Sequence, residues 1–430
     1  MTSHTAGAAR GRGGRGRVVG ALAVLAASLV FVDGPAGAAF PGVNGLLACQ
    51  TTRTGNGEVF TFDPTGTEKN PVNLTNNPAA DGRPKWSPDG RKIAFESNRD
   101  GNTEVWIMNA NGSNPTQLTF TASGSNSPGS WHPDGSAITF QSTRDGNFEV
   151  YKVNIDGTEL TRLTNLAVED SLPAWSPDGT TIAFSSRRQD PAADVHLMDP
   201  DGNVFFNLTN SPGEDSWPDW SPDATQLSFH SRLDDPMGEE IYRIGRDGTG
   251  RTRLTFSAGG IPEAFDLFPH WSPDGTRIAW TSGRQGDNFG EIYHMRSSDG
   301  GDIRRVTMNA AIDQRCDWQQ LCTIYGAGNI TGTPGNDVIC GSEGSDAIAG
   351  GGGNDVILGL GGADRVSGDG GNDRVFGGFG DDQVVGGDGD DIVSGGPGTD
   401  SVIGNAGTDH GDGGYGTDGC FLNETTRACP

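Results

Sequence analysis

Ten aspartates stand nine residues apart near the end of this 430-residue chain: Asp337, Asp346, Asp355, Asp364, Asp373, Asp382, Asp391, Asp400, Asp409 and Asp418. Each follows a glycine-rich run, as in Gly350-Gly351-Gly352-Gly353-Asn354-Asp355 and Gly386-Gly387-Asp388-Gly389-Asp390-Asp391. Glycine lets the backbone turn sharply and aim carbonyl oxygens inward, and the carboxylate adds a hard anionic oxygen. A set of oxygen donors of this kind suits calcium. The units run from Gly332 to Phe421 without a gap, a phase that a disordered glycine-rich tail does not keep.

Two residues after each aspartate comes Ile339, Ile348, Ile357, Val366, Val375, Val384, Val393 or Val402, and then Gly411 and Cys420. The pattern GGxGxDxUx resembles the RTX calcium-binding repeat. That resemblance implies a parallel β-roll in which two nonapeptides make one turn and cations sit between stacked loops, giving about eight sites. The apolar column is a thin core that ends at Gly411, so the last two units are expected to act as a cap. Residues 332–421 carry 16 Asp and Glu against two arginines, Arg365 and Arg374, a net of −14. Such a roll is expected to fold only with calcium present.

A longer period organises the chain upstream. Lys85-Trp86-Ser87-Pro88-Asp89-Gly90-Arg91-Lys92-Ile93-Ala94-Phe95 recurs with small changes, carrying Trp86, Trp131, Trp175, Trp220, Trp271 and Trp318 at intervals of 45, 44, 45, 51 and 47 residues. Each copy reads as four short strands. One ends at the tryptophan, Pro88-Asp89-Gly90 makes a tight turn, Ile93-Ala94-Phe95 is a second strand, and Glu104 to Met108 and Thr116 to Thr119 complete the unit. Six copies of this length predict a six-bladed propeller. The run from Trp-Ser-Pro-Asp-Gly through Arg-Asp-Gly-Asn to Leu-Thr resembles the WD-like repeat of TolB-type propellers, over roughly residues 41–322.

Three polar positions recur on one face of the predicted propeller. Five residues before the tryptophan stand Asp81, Asn126, Asp170, Asp215, Asp266 and Asp313; after the second strand come Arg53, Arg99, Arg144, Arg188, Arg232 and Arg284; the third strand opens with Glu58, Glu104, Glu149, Asp194, Glu240 and Glu291. Their periodicity suits a lock in which each arginine bridges an acid of its own blade and one of the next. The same residues could also form a docking face for a protein or glycan ligand. Departures from the period mark that face: Asn126, the insert Gly259-Gly260-Ile261-Pro262-Glu263-Ala264-Phe265, and the aromatics Trp217 and Phe268.

Composition narrows the function class. A formal net charge of −26 disfavours nucleic acid and anionic membrane as partners and favours cations. Arg10, Arg12, Arg15 and Arg17, the apolar run Val18 to Val32 and Ala36-Gly37-Ala38 read as a secretory leader over residues 1–39. The apolar run is short of the roughly 20 residues a spanning helix needs, so no stable membrane insertion is expected. RTX proteins are often exported without such a leader, a departure that leaves two export routes open. Leu46-Leu47-Ala48-Cys49 mimics a lipoprotein box, but Cys49 falls in repeat register with Phe95, inside a strand. Six cysteines in an exported chain read as three disulfides. Cys49–Cys316, Cys322–Cys340 and Cys420–Cys429 is the preferred set among the connectivities open to them.

The expected layout is all-β: leader 1–39, propeller 40–322, linker 323–331, β-roll 332–421 and tail 422–430. The chain has no Gly-x-Ser-x-Gly elbow, and His132, His196, His230, His270 and His294 occupy different repeat registers. The reading is a secreted, non-enzymatic, calcium-binding scaffold. An extracellular lyase or hydrolase working at the propeller mouth, and a structural adhesin or matrix protein, are the rivals.

Overall fold

The computed structural model describes residues 43–428, apart from residue 190 and residues 235–237, 257–264, 285–289 and 422–424. The expected leader, most of the 259–265 insert and Cys429 lie outside the described residues. Among the described residues there is no helix, and so none long and apolar enough to cross a membrane.

Each tryptophan repeat folds as a four-stranded antiparallel blade. In one, Asp81–Trp86 pairs with Lys92–Ser97, then Glu104–Asn109, then Thr116–Gln117. Ser87 closes the Pro-Asp-Gly turn by hydrogen bonds to Lys92, with Gly90 at φ 68°. Both faces of the middle strands are covered by neighbouring blades, so Ile93, Ala94 and Phe95 are all fully buried. There are six such blades. The backbone N–H of Asp81, Asn126, Asp170, Asp215, Asp266 and Asp313 each donates to a carbonyl of the preceding blade, at Gly57, Thr103, Phe148, Ala193, Glu239 and Gly290.

The two ends of the propeller share one blade, ordered Asp313–Leu321, Val43–Thr51, Glu58–Phe62, Val72–Asn73. Leu47 lies opposite Trp318, and a Cys49–Cys316 disulfide ties the strands, so the ring closes as expected without a free edge. Cys49 is thereby committed to the fold.

The C-terminal region is a parallel β-solenoid of two sheets, in which each strand pairs with the one 18 residues on, as Ile339 with Ile357 and Val366 with Val384. Ile330, Ile339, Ile348, Ile357, Val366, Val375, Val384, Val393 and Val402 form its core, with Ile324 and Cys420 packed against it. Residues 323–331, expected as a linker, belong to the solenoid. Ile324–Tyr325 and Asn329–Thr331 are its first strands, and Gly328 stands where later units have aspartate. The tail also departs from expectation, since Thr425–Ala428 adds a strand beside His410–Gly416.

One sheet of the roll has an apolar outer face: Val338, Cys340, Leu358 and Phe376, joined by Cys322, Val356 and Leu360. It lies against the tryptophan end of the propeller, where all six repeat tryptophans line the same chamber as Val338, Val356, Leu358 and Phe376. Arg374 donates to the Pro222 carbonyl, Arg91 stacks on Tyr325 at 4.7 Å, and the Cys322–Cys340 disulfide fastens the first turn. The roll therefore closes one end of the propeller channel.

Candidate functional site

The aspartates of the roll form two ladders. On one flank the backbone N–H of Asp337, Asp355, Asp373 and Asp391 donates to Oδ1 of the aspartate 18 residues on; on the other, Asp346, Asp364, Asp382 and Asp400 do the same, all at 2.8–3.1 Å. The second oxygen, Oδ2, is buried without a hydrogen-bond partner in Asp355, Asp364, Asp373, Asp382, Asp391, Asp400 and Asp418. Asp337 and Asp346 differ. Their Oδ2 atoms accept from the backbone N–H and hydroxyl of Thr333 and Ser342, at 2.7–2.9 Å.

Glycine keeps those loops open. A Cβ on Gly368 would lie 2.4 Å from Asp373 Oδ2 and 2.5 Å from the Gly386 carbonyl; one on Gly359 would lie 2.6 Å from Asp364 Oδ2 and 2.3 Å from the Gly377 carbonyl. Burial pushes the Asp364, Asp373, Asp391 and Asp400 carboxyls up to about 7, and Asp355 and Asp382 to about 6, with nearby carboxylates adding to the rise. Buried anionic oxygens beside backbone carbonyls, without nitrogen or sulfur, fit a hard divalent cation. Three carboxylates of the propeller, Glu68, Glu291 and Asp313, also converge. There Arg53 and Arg305 approach them at 3.0–3.2 Å and supply the counter-charge.

The charged ring locks each blade internally. Arg99 bonds Asp81 (2.9 Å), Arg188 Asp170 (2.7 Å), Arg284 Asp266 (2.9 Å) and Arg53 Asp313 (3.1 Å), while Arg144 donates to Asn126 (3.3 Å). The guanidiniums also cover aromatic rings, Arg99 over Phe95 and Trp106 and Arg284 over Trp280 and Tyr293, at 4.8–5.2 Å. The expected reach to the next blade is not made by these pairs. Third-strand acids are held by their own blade's threonines, as Glu104 by Thr119 and Glu240 by Thr255. Carboxyl therefore meets carboxyl across the seams. Burial pushes Asp81, Asp170 and Asp266 up, and Glu58, Glu149 and Glu240 across the seam add to it. Asn126 relieves one seam by donating to Glu104 at 2.6 Å. Arg232 leaves the pattern: it is half-exposed and pairs with Glu239, while Arg251 takes Asp215 at 3.1 Å.

The channel is lined by a bulge repeated in the inner strands. Arg83, Leu172, Trp217, Phe268 and Arg315 sit there at φ 46–57°, with Pro128 as the sixth, so their side chains turn into the lumen. Two residues deeper is a polar waist. His270 Nδ1 lies 3.2 Å from Asp219 Oδ1 and 3.1 Å from Asp317 Oδ1, and its Nε2 meets Lys85 Nζ. The other oxygens of those aspartates accept from the backbone N–H of Trp271 and Trp86. The remaining histidines are dispersed. Burial lowers His196, His230 to about 3 and His294 to about 4, and His132 is held by Asp134.

Comparison with known proteins divides the chain at the same boundary. The family model for the Tricorn protease N-terminal beta propeller domain matches residues 52–149, and that for the TolB beta propeller domain matches 120–205. The model for the RTX calcium-binding nonapeptide repeat matches residues 324–357, 350–384 and 385–419. The chain is a TolB-like propeller joined to RTX calcium-binding repeats. Among solved structures, TolB from Acinetobacter baumannii is 20% identical over 66% of this chain and 67% of its own, with a TM-score of 0.55. Hydrazine synthase from Kuenenia stuttgartiensis is 17% identical over 65% of this chain and 47% of its own, with a TM-score of 0.51. At these identities the likeness is one of fold.

Two parts of this TolB-like and RTX architecture escaped the sequence reading. The waist unites Lys85, Asp219, His270 and Asp317, which share one register four residues after the ring position; reading histidines against histidines hid that. The docking face of the roll carried an 18-residue signal, since position nine is apolar in Cys340, Leu358 and Phe376 and position seven in Val338 and Val356, against Arg365, Ser367 and Gln383 in alternate units.

Proposed function

We propose that this chain is a secreted, non-enzymatic binding protein whose propeller presents a ligand site and whose roll is a calcium-dependent base for it. The observation that carries the reading is the set of buried aspartate Oδ2 atoms without partners, each beside a glycine that leaves its loop open. Asp355, Asp364, Asp373, Asp382, Asp391, Asp400, Asp409 and Asp418 would hold calcium with backbone carbonyls of the stacked loops. Asp337 and Asp346, already bonded by Thr333 and Ser342, would contribute least. Calcium bound there supplies the positive charge that these ladders lack. Disulfides and RTX repeats both suit an extracellular setting, where calcium is plentiful. The test is scanning calorimetry of the full chain in chelator and in millimolar calcium. A calcium-dependent rise in one transition is expected, and identical traces would defeat the reading.

A second reading, an enzyme of the lyase or hydrolase class, is favoured by one observation, His270 set between Asp219 and Asp317 in the channel. An imidazole so placed could exchange protons with a substrate reaching the waist. Against it, both nitrogens and all four carboxylate oxygens already face partners within the protein.

A further inference from the structure

We propose that the end of the channel away from the roll is a binding site for a carboxylate, taken between Arg83 and Arg315. This deepens the binding reading above and rests on it, by naming the chemistry of the ligand. The two arginines occupy the bulge position of adjoining inner strands, and both side chains turn into the lumen. The fold does not require them, because Pro128, Leu172, Trp217 and Phe268 make the same position in the other blades without charge.

The protein satisfies them only in part. Two guanidiniums share a single carboxylate: Arg83 Nε stands 3.2 Å from Glu96, and Arg315 Nη1 3.9 Å from its other oxygen and 3.3 Å from Gln50 Oε1. Arg315 Nε is buried and has no hydrogen-bond partner, and buried Arg83 Nε has the Glu96 carboxylate beside it but out of hydrogen-bond geometry. Each arginine named in the charged ring, by contrast, has an acid or amide of its own within its blade.

The surroundings strengthen the preference for an anion. Arg83 lies over Trp217 at 4.8 Å, and Arg315 over Phe268 at 5.2 Å, so aromatic rings fix both guanidiniums and keep water from their faces. Their proximity is also costly, since burial and the Arg83 charge together bring Arg315 down to about 10. A carboxylate can answer two forks at once, which a neutral ligand cannot. The far end of the channel is closed by the roll, so the ligand enters and leaves at this mouth. The site therefore takes the end of a slender molecule, with its carboxylate leading and an apolar body left beside Trp217 and Phe268.

The experiment is isothermal titration of the calcium-loaded full chain with phenylacetate, with phenylethylamine and sodium sulfate as parallel probes. Saturable one-to-one binding of phenylacetate is expected, with none for the amine. Sulfate binding as tightly as phenylacetate would overturn the carboxylate assignment. Arg315→Gln and Arg83→Gln should each weaken phenylacetate by about tenfold or more, as loss of a charged hydrogen bond does. Arg315→Lys should recover part of that loss. Glu96→Gln, which leaves both arginines without their shared acid, should tighten binding instead, and this opposite sign does not depend on a variant failing to fold. Lys69→Gln, on the exposed surface, should change nothing. No saturable phenylacetate binding, or binding indifferent to the changes at Arg83, Arg315 and Glu96, overturns the proposal. The calcium-dependent melting of the same samples reads the roll separately, so failure at the mouth is not confused with failure of the calcium reading.

Discussion

Raising the pH should destabilise the calcium-free roll, the reverse of what ion-paired aspartates do. Burial holds Asp364, Asp373, Asp391 and Asp400 at about 7 against an ordinary value of 3.8. The folded roll therefore keeps protons that the unfolded chain has lost, and stability falls as pH climbs from about 4 to about 7, then levels off. At roughly 1.4 kcal/mol per pH unit, each such carboxyl could account for up to about 4 kcal/mol. Solvent near the loops screens that to the order of 1 kcal/mol each. Four of them, with Asp355 and Asp382 adding less, then sum to several kcal/mol, comparable with the whole stability of a small domain. Calcium should abolish the trend by competing with the protons, and its own affinity should rise between pH 5 and 8. The assay is calorimetry of the full chain at pH 5, 6, 7 and 8, in chelator and in calcium, following the transition that calcium moves. A calcium-free roll that melts higher at pH 8 than at pH 5 would refute the reasoning.

Three further outcomes are expected. Gly368→Ala places a Cβ 2.4 Å from Asp373 Oδ2, so it should lower calcium affinity and leave propeller melting unchanged, both read by calorimetry. Arg99→Ala strands the fully buried Asp81 and bares two aromatic rings, and should cost about 3 kcal/mol in chemical denaturation. Phe376→Ala, which empties the joint between roll and propeller, should cost roughly 3–5 kcal/mol and raise the solvent exposure of the chamber tryptophans, read by fluorescence quenching.

Much of this was legible because both halves repeat. The tryptophan period gave six blades and put Cys49 in a strand, and the aspartate period gave the roll and its core column. Periodicity is weakest at boundaries and at contacts between repeats, and there the reading missed. Gly328 lacks the aspartate that marks a unit, so the first turn passed for a linker. Arginine, with acids on two sides in sequence, could not reveal that threonines had already claimed one of them. Arg83 and Arg315 passed unnoticed because their position carries no shared residue type, and only the positive φ of the bulge unites it.

Calcium counted by equilibrium dialysis against the full chain, beside a variant with Asp364, Asp373, Asp382 and Asp391 all changed to Asn, bears on the whole account. Saturation near eight ions is expected in the parent, one for each interval between five stacked loops on either flank. The variant should lose half of that or more while its propeller transition stays in place. A parent chain that binds one or two ions, or a variant that binds as many as the parent, would contradict it.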